Sequence, residues 1–554
     1  MRRMEGWRKA TQWLLAPEPA TSSNYAGHLA PRWIFLRALG LIYFSALYPL
    51  LFQIKGLIGP EGILPAVKYL EVLDKYNSGF EHFWIAPTLF WLSSENGMLM
   101  LVCWLGLLAS LAVVFNLWPR ASLLICLICY LSFVAAAQDF SGYQSDGMLL
   151  EAGFISLFFA PPGLRPGLAE SHRPTRSSLF LLRWEWFRIY FESGVVKIVS
   201  GDYSWRHLTA MDDYYQNGPL PSWIGWYVQH LPHWFHASAT VLTLVAELVL
   251  VFMLFLPRRW KINCFLIVTP FQLTIILTAN YTFLNYLVLL LGVLLLDDKF
   301  LSSLTPAKWR KRLVPTTPVR SSRDETYVDD EDHAHQLRGL QRFLHPGKRV
   351  IAAWSLILVF YVTLAGLLDT FPIGNFLPDA PVRALMSFRI ANSYGLFAVM
   401  THERYEIEFQ GSNDGGQTWV AYPFRYKPQD IYKPPGVYAP YQPRLDWNLW
   451  FASLGQWRQN MFVMHTEERL LRASPDVLDL FAKNPFPEAP PQRVRTILWQ
   501  YWFTDLETKR ETGAWWRRQQ LGPYSPGLQR APNGQVVVSE MSDNNKEAPH
   551  PTER

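Results

Sequence analysis

Eight ionisable side chains sit inside long apolar stretches of this sequence: Arg37, Glu151, Arg183, Glu185, Arg188, Glu192, Lys197 and Glu247. Charge in hydrocarbon costs several kcal/mol per group, so each is a candidate for function. Five of the eight crowd into Leu179–Val199. Arg188 and Glu192 lie four residues apart on one helical face, so part of the set can pair internally. Two readings follow. One is an internally neutralised helix with a polar side. The other is a polar cavity opening outward, lined by Lys197, Glu192 and Glu151. A lysine partly removed from water can lose its proton and act as a base. Lys197, Glu192 and Glu151 are therefore the catalytic candidates, and Asp146, Arg183, Arg188, Asp202, Trp205 and Glu247 complete an intramembrane polar pocket.

Other chemistry is sparse. Ser200-Gly201-Asp202-Tyr203-Ser204-Trp205-Arg206 reads as a polar, re-entrant turn after that span. His230-x-x-His233-x-x-His236 would spread around a helix that Pro232 interrupts, and interfacial aromatics surround it, so no metal site is expected there. His333 and His335 beside Asp329–Asp332 lack further ligands. Cys126-x-x-Cys129 lies among Leu and Ile, where burial raises a thiol pKa and helix packing is the better reading. All four cysteines lie in apolar stretches, which predicts no disulfide framework outside the membrane. Gly-rich phosphate loops, HExxH and G-x-S-x-G elbows are absent. No cofactor is implied.

The elements that must position these residues are membrane helices. The chain has 554 residues, half of them apolar, 15% aromatic and 17% charged, with a mean hydropathy of +0.03. Soluble domains carry about 25% charged residues. Disordered, collagenous and disulfide-scaffold classes are excluded. The average hides two parts, one very apolar to about residue 370 and one polar. Runs near the ~20 residues needed to cross a bilayer are Trp33–Gln53, Met98–Phe115, Ala121–Ala137, Gly147–Ala160, Leu179–Val199, His236–Leu256, Ile262–Thr278, Phe283–Leu296 and Val350–Leu368. The prediction is a multi-pass α-helical bundle of about nine spans.

Lys and Arg give an independent count. With a cytoplasmic N-terminus and nine crossings, inside segments hold 23 Lys and Arg and outside loops hold 4. That asymmetry is the positive-inside pattern. The net charge of +6 is thereby a topology signal, and no nucleic-acid partner is implied. The organisation reads as a basic interfacial N-terminus over 1–32, with Met1–Ala16 lying on the membrane surface. A transmembrane bundle follows over 33–300, then a flexible cytoplasmic linker over 301–349 and a last span over 350–370. An exported α+β domain occupies 371–527, and a disordered tail 528–554.

Within the exported part, Tyr405–Gly411 alternates and Val420–Tyr426 continues apolar and aromatic, the pattern of half-buried strands. Ser412-Asn413-Asp414-Gly415-Gly416-Gln417-Thr418-Trp419 fits a hairpin turn. It has the form of an Asp-box, here single, and reads as a structural turn in a small β-sandwich. Leu445–Gln459 and Glu467–Ala482 read as helical, and Val494–Thr504 as a strand.

Several segments resemble the lipase maturation factor family. They are Leu57-Ile58-Gly59-Pro60-Glu61-Gly62-Ile63-Leu64-Pro65, Gln144-Ser145-Asp146-Gly147-Met148-Leu149-Leu150-Glu151 and Ser193-Gly194-Val195-Val196-Lys197. Asn280-Tyr281, Asn392-Ser393-Tyr394-Gly395-Leu396-Phe397 and Pro443-Arg444-Leu445-Asp446-Trp447 continue the resemblance, in order, from about residue 30 to about 525. It implies a multi-pass membrane protein, in animals of the endoplasmic reticulum, whose lumenal C-terminal domain helps dimeric secreted lipases fold and assemble. In a bacterial source the same protein would sit in the plasma or inner membrane. The membrane part is also similar to the vitamin K-dependent γ-carboxylase type of bundle, through Gly194-Val195-Val196-Lys197 and Trp205. That similarity implies Lys197 as a candidate base.

Three functions compete. A maturation factor would hold secreted clients, lipases by resemblance, on aromatics such as Trp447, Trp450, Trp499 and Trp502, with Phe451, Trp457 and Tyr501 nearby. A membrane enzyme would use Lys197 on a lipid, quinone or peptide. A transporter would show an inverted repeat, and none is evident. The first reading is preferred because the resemblance covers both parts of the chain.

Overall fold

A computed structural model describes residues 13–18, 27–77, 79–167, 173–306, 337–372 and 377–539, with side chains from 350 onward in the helix that opens at 337. Most of the expected interfacial helix Met1–Ala16, most of the linker, and His333 and His335 lie outside the described residues.

Every segment read as a span is helical. The longer bundle helices are α1 Leu29–Leu47, α2 Leu50–Ile58, α3 Asn96–Val114, α4 Pro119–Ala136, α5 Gln144–Phe159, α6 Arg176–Val199, α7 His233–Leu248, α8 Arg258–Thr278, α9 Leu284–Val293 and α10 Leu337–Asp369. Local chemistry sets several boundaries. The Thr175 hydroxyl accepts from Ser178 N at the start of α6, and Pro119 opens α4 where its missing N–H costs nothing. Pro49 interrupts the α1–α2 ladder, and the two helices meet at 43°.

Length and composition divide this set. Among the described residues, five helices are long and apolar enough to cross a membrane: Asn96–Val114, Pro119–Ala136, His233–Phe255, Arg258–Thr278 and Val350–Asp369. The bent pair α1–α2 makes a sixth if it acts as one span. The other three expected spans differ for identifiable reasons. Helix α5 has 16 residues and carries Asp146 and Glu151, and α9 has 10, about 15 Å. Helix α6 is long enough at 24 residues but holds six charges, five of them within Leu179–Val199. It packs against α5, α7, α9 and α10, so neighbouring helices surround it where lipid would be expected.

The C-terminal part holds helices α11 Arg444–Ser453 and α12 Phe462–Leu471 and strands β1 Arg404–Ser412, β2 Val420–Ala421, β3 Arg493–Phe503, β4 Trp516–Pro523, β5 Leu528–Arg530 and β6 Val536–Val538. They form one antiparallel sheet ordered β2-β1-β3-β5-β6, with β4 also on β3. The expected sandwich is thus a single sheet among the described residues. Helices α11 and α12 cover it, packing on β1 and β3. The Asp-box octet is the β1–β2 turn. Asp414 accepts from Gln417 N and Thr418 N at 2.9 Å, and Gly415 and Gly416 hold φ of 76° and 97°. Five hydrogen bonds, led by those from Thr418, hold the Asp414 carboxyl well below the usual carboxylate range.

Two boundaries differ from expectation. The last bundle helix begins at Leu337, inside the stretch read as linker, and Asp298–Leu304 is also helical, capped by the Asp297 carboxylate. The tail read as disordered from 528 contains β5 and β6, because β-branched Val536-Val537-Val538 returns through a turn at Gly534, φ 80°, to pair with Leu528–Arg530. Residues 540–554 lie outside the described residues.

Candidate functional site

The charges predicted to share one pocket form separate groups. In the first, Glu151 of α5 pairs with Arg188 of α6, whose Nη1 also lies 3.7 Å from Glu192. The segment after the last span closes this group. Arg188 donates to the Asn392 carbonyl at 2.5 Å, Glu151 accepts from Asn392 N at 2.8 Å, and Glu192 accepts from Tyr394 N at 2.6 Å. Asn392 Nδ2 donates to the Gly147 carbonyl at 2.8 Å. A Cβ on Gly147 would lie 2.5 Å from Asn392 Oδ1, so the approach requires glycine.

The second group joins the bundle to the C-terminal domain. Arg444, at the start of α11, reaches Asp146 on α5 at 2.8 and 3.1 Å. Tyr130 donates to the same carboxylate at 2.6 Å, and Arg444 donates to the Phe140 carbonyl at 2.6 Å. Arg444 and Asp146 are both fully buried. Gln53 of α2 accepts from Arg444 N at 2.7 Å, and Tyr143 donates to Asn448 at 2.7 Å. Asn280 bridges the same seam, donating to the Gly436 carbonyl at 2.9 Å and accepting from Tyr438 N at 2.7 Å. Asp202 accepts from Met400 N at 2.6 Å, which ties the polar turn to the domain's leading segment.

The third group is Lys197, Glu247 and Trp205. Lys197 donates to Glu247 at 2.9 and 3.0 Å and to Ser193 Oγ at 2.6 Å, and its Nζ lies 5.1 Å from the centre of the Trp205 ring. This group borders a cavity of about 90 Å³ whose other walls include Tyr190, Gln272, Asn285 and Tyr394. Glu192 and Glu151 do not line it: Glu151 is committed to Arg188 and Asn392, and Glu192 to Arg188 and Tyr394. Arg183 lies at the far end of α6, about 21 Å of helix from Lys197, bonded to His28 at 2.6 Å and to the Leu294 carbonyl at 2.8 Å. Among the described residues, neither oxygen of buried Glu185 has a hydrogen-bond partner.

The histidines of the 230–236 motif point apart. His230 binds the Trp226 and Thr504 carbonyls, His233 pairs with Asp212, and His236 is buried beside Tyr215. Among the described residues, no three His, Cys, Asp or Glu side chains converge as metal ligands. The four cysteines are buried and unbridged.

The aromatics expected to meet clients divide by burial. Trp447 and Trp450 are each 7% exposed and so do not present a surface to a client. Trp447 packs with Tyr143, Trp205 and Tyr281 in an aromatic junction between bundle and domain. Trp499 and Trp502 are half-buried on opposite faces of β3, beneath Arg518 at 4.1 Å and Arg517 at 5.1 Å. Phe451 is exposed.

Arg444, Gln53, Asn392 and Asn280 hold these groups together, and residue chemistry alone did not single them out. Each lies at or beside a motif already singled out, but none sits in a charged cluster that would announce a role. A helical membrane bundle whose buried charges reach up to hold a folded α+β domain defines a class: integral membrane proteins that carry a soluble domain fixed to the bundle. Residues 30–303 match the lipase maturation factor transmembrane domain, and residues 390–526 match the lipase maturation factor C-terminal domain. The chain belongs to the lipase maturation factor family. It is 32% identical to mouse lipase maturation factor 1, over 94% of this chain and 91% of that protein. It is 30% identical to human lipase maturation factor 2, over 91% of this chain and 83% of the relative. No solved structure matches. The comparisons give the enzyme reading no support.

Proposed function

We propose that this protein is a membrane-anchored maturation factor that assists the folding and assembly of secreted clients, lipases first among them. The observation that carries this reading is the two-part match: relatives named for lipase maturation align with both the bundle and the exported domain. The geometry agrees with a rigid presenting device. The Asp146–Arg444 and Asn280 contacts fix the domain to the bundle, so a client bound to it is held at a set height above the membrane.

The finer topology belongs to the same proposal. Nine crossings, with α5, α6 and α9 counted as spans, a cytoplasmic N-terminus and a lumenal or periplasmic domain are supported by the 23-to-4 charge asymmetry. In a eukaryotic cell the membrane is that of the endoplasmic reticulum. Client contact falls to the accessible aromatics Trp499, Trp502 and Phe451.

The test is co-expression with a dimeric secreted lipase in cells lacking their own maturation factor. Secreted activity and dimer fraction rise with the intact chain. They fall several-fold when Trp499, Trp502 and Phe451 are changed to Ala at unchanged protein level. Secreted activity equal to that of an empty membrane control would sink the reading.

A further inference from the structure

A second cavity, of about 510 Å³, opens where the α1–α2 bend meets the exported domain. That volume falls within the ~300–1,000 Å³ of small-molecule sites. Its bundle wall is Tyr48, Phe52 and Lys55, and its domain wall includes Arg425, Tyr426 and Asp446.

Its height in the membrane follows from α1. The helix starts in a charged belt, where Leu29 N and Ala30 N donate to the Asp298 carboxylate at 3.1 and 2.7 Å and Arg258 pairs with Asp297. Its 19 residues then rise about 28 Å, close to the thickness of a bilayer core. Tyr48 therefore stands at the opposite boundary, the one that carries the domain. Tyr48 and Phe52 are 42% and 59% exposed and pack edge to face, as aromatics at a lipid interface do.

The interior of the cavity has a different chemistry. Asp476 and Asp479 also line the cavity, yet among the described residues Lys55 is in no ion pair with either. Arg425 is exposed and donates to the Asp479 carbonyl at 3.0 Å, which leaves other guanidinium N–H groups available. Deeper in, the Tyr426 and Tyr441 rings lie 5.3 Å apart and the Asp446 carboxylate accepts from Lys427 N at 3.1 Å. Two cations at the membrane boundary suit a phosphate. The three carboxylates of the lining and the tyrosine faces behind the cations suit an ammonium. The apolar lip suits an acyl chain.

We propose that this cavity binds one glycerophospholipid with an aminoalcohol headgroup, drawn from the leaflet that faces the exported domain. The phosphate sits between Lys55 and Arg425, the ammonium points toward Asp446 and Tyr426, and the acyl chains run down α1 past Tyr48 and Phe52. This site is independent of client identity, and it makes the seam between the two parts of the protein partly lipid.

The experiment is native mass spectrometry of the purified full-length protein in detergent, titrated with dioleoylphosphatidylethanolamine. The intact chain holds one lipid. Lys55→Glu and Arg425→Glu each lower the bound fraction at least tenfold, Lys55→Arg retains it, and Lys75→Glu, at an exposed lysine outside the cavity lining, leaves it unchanged. Arg425 is a surface residue, so its variant reports even if Lys55→Glu fails to fold. Binding that ignores Arg425→Glu overturns the site. Equal binding of dioleoylphosphatidylglycerol overturns the aminoalcohol assignment. Competition by glycerophosphoethanolamine or inorganic phosphate at the concentration of the intact lipid overturns the membrane source.

Discussion

Two buried ion pairs in this molecule are chemically alike and structurally opposite. Asp146–Arg444 joins residues 298 apart in sequence, and each partner is further bonded by Tyr130, Phe140 or Gln53. Lys197–Glu247 lies wholly within the bundle, between α6 and α7, beside a cavity of about 90 Å³. The first is a fastening between two parts of the protein, with its hydrogen-bonding capacity largely used. The second neutralises a charge within one part and leaves space next to it. Buried charge therefore does not identify a reactive site. What separates fastening from potential site is whether the surrounding groups saturate the charge or leave it beside a void.

The largest expected effect breaks the fastening. Arg444→Met leaves Asp146 buried without its cation and costs about 3–5 kcal/mol. The apparent melting temperature in detergent should fall sharply, and limited proteolysis should release the C-terminal domain. Arg444→Met combined with Asp146→Leu should recover most of that loss. A single variant as stable as the parent would show that the pair does not hold the seam.

A second prediction calibrates burial inside the domain itself. Glu467 of α12 is buried against Ser525, which donates to it at 3.0 Å, and burial pushes its carboxyl up to about 8. Asp446, also buried, is pushed up to about 6 despite the amides of Lys427 and Tyr426 that bond it. A carboxyl whose folded pKa is raised keeps its full contribution below the unfolded value. That contribution is lost as pH climbs through the folded one. For Glu467 the window runs from about 4.5 to about 8, and the loss is on the order of a few kcal/mol. Melting followed between pH 5 and 8 should show declining stability in the parent and a flatter profile in Glu467→Gln. An unchanged slope in that variant would remove Glu467 as the cause.

Smaller effects sharpen the comparison. Asn392→Ala keeps the backbone N–H to Glu151 but removes the side-chain amide that donates to the Gly147 carbonyl at 2.8 Å and to Glu151 at 3.4 Å, and should cost about 1–3 kcal/mol by thermal melting. Lys197→Met with Glu247→Leu replaces the second pair by apolar side chains of similar bulk. Such replacements are often neutral or stabilising, so melting should barely move and lipase maturation should continue. Loss of maturation by a well-folded double variant would give the Lys197 cavity a direct part in function.

The legible and illegible parts of the fold divide along the same line. Apolar runs marked most of the long bundle helices, including α6 with its six charges, and alternation marked β1 and β3 to within a residue or two. Glu151, Arg188 and Lys197 were identifiable as buried charges, because a charged side chain in an apolar run is visible locally, and Asp146 stood out through its motif just before such a run. Their partners were not. Arg444 and Asn392 sit in ordinary polar surroundings, and only the docked domain gives them a role. Trp447 and Trp450 looked like exposed client contacts and are interior because α11 lies between the sheet and the bundle.

The sequence by itself determined the solvent of each part, the helical and extended segments, the sites of buried charge and, through its motifs, the family. These follow from short-range properties: run length, periodicity, and residue type at fixed spacing. Tertiary structure decided which charges pair, that the nine-residue pocket set falls into separate groups, that one sheet forms where two were expected, and where cavities remain. Those outcomes depend on residues hundreds of positions apart meeting in space. The pairing energy of a buried charge is set by whatever the fold brings within hydrogen-bond reach.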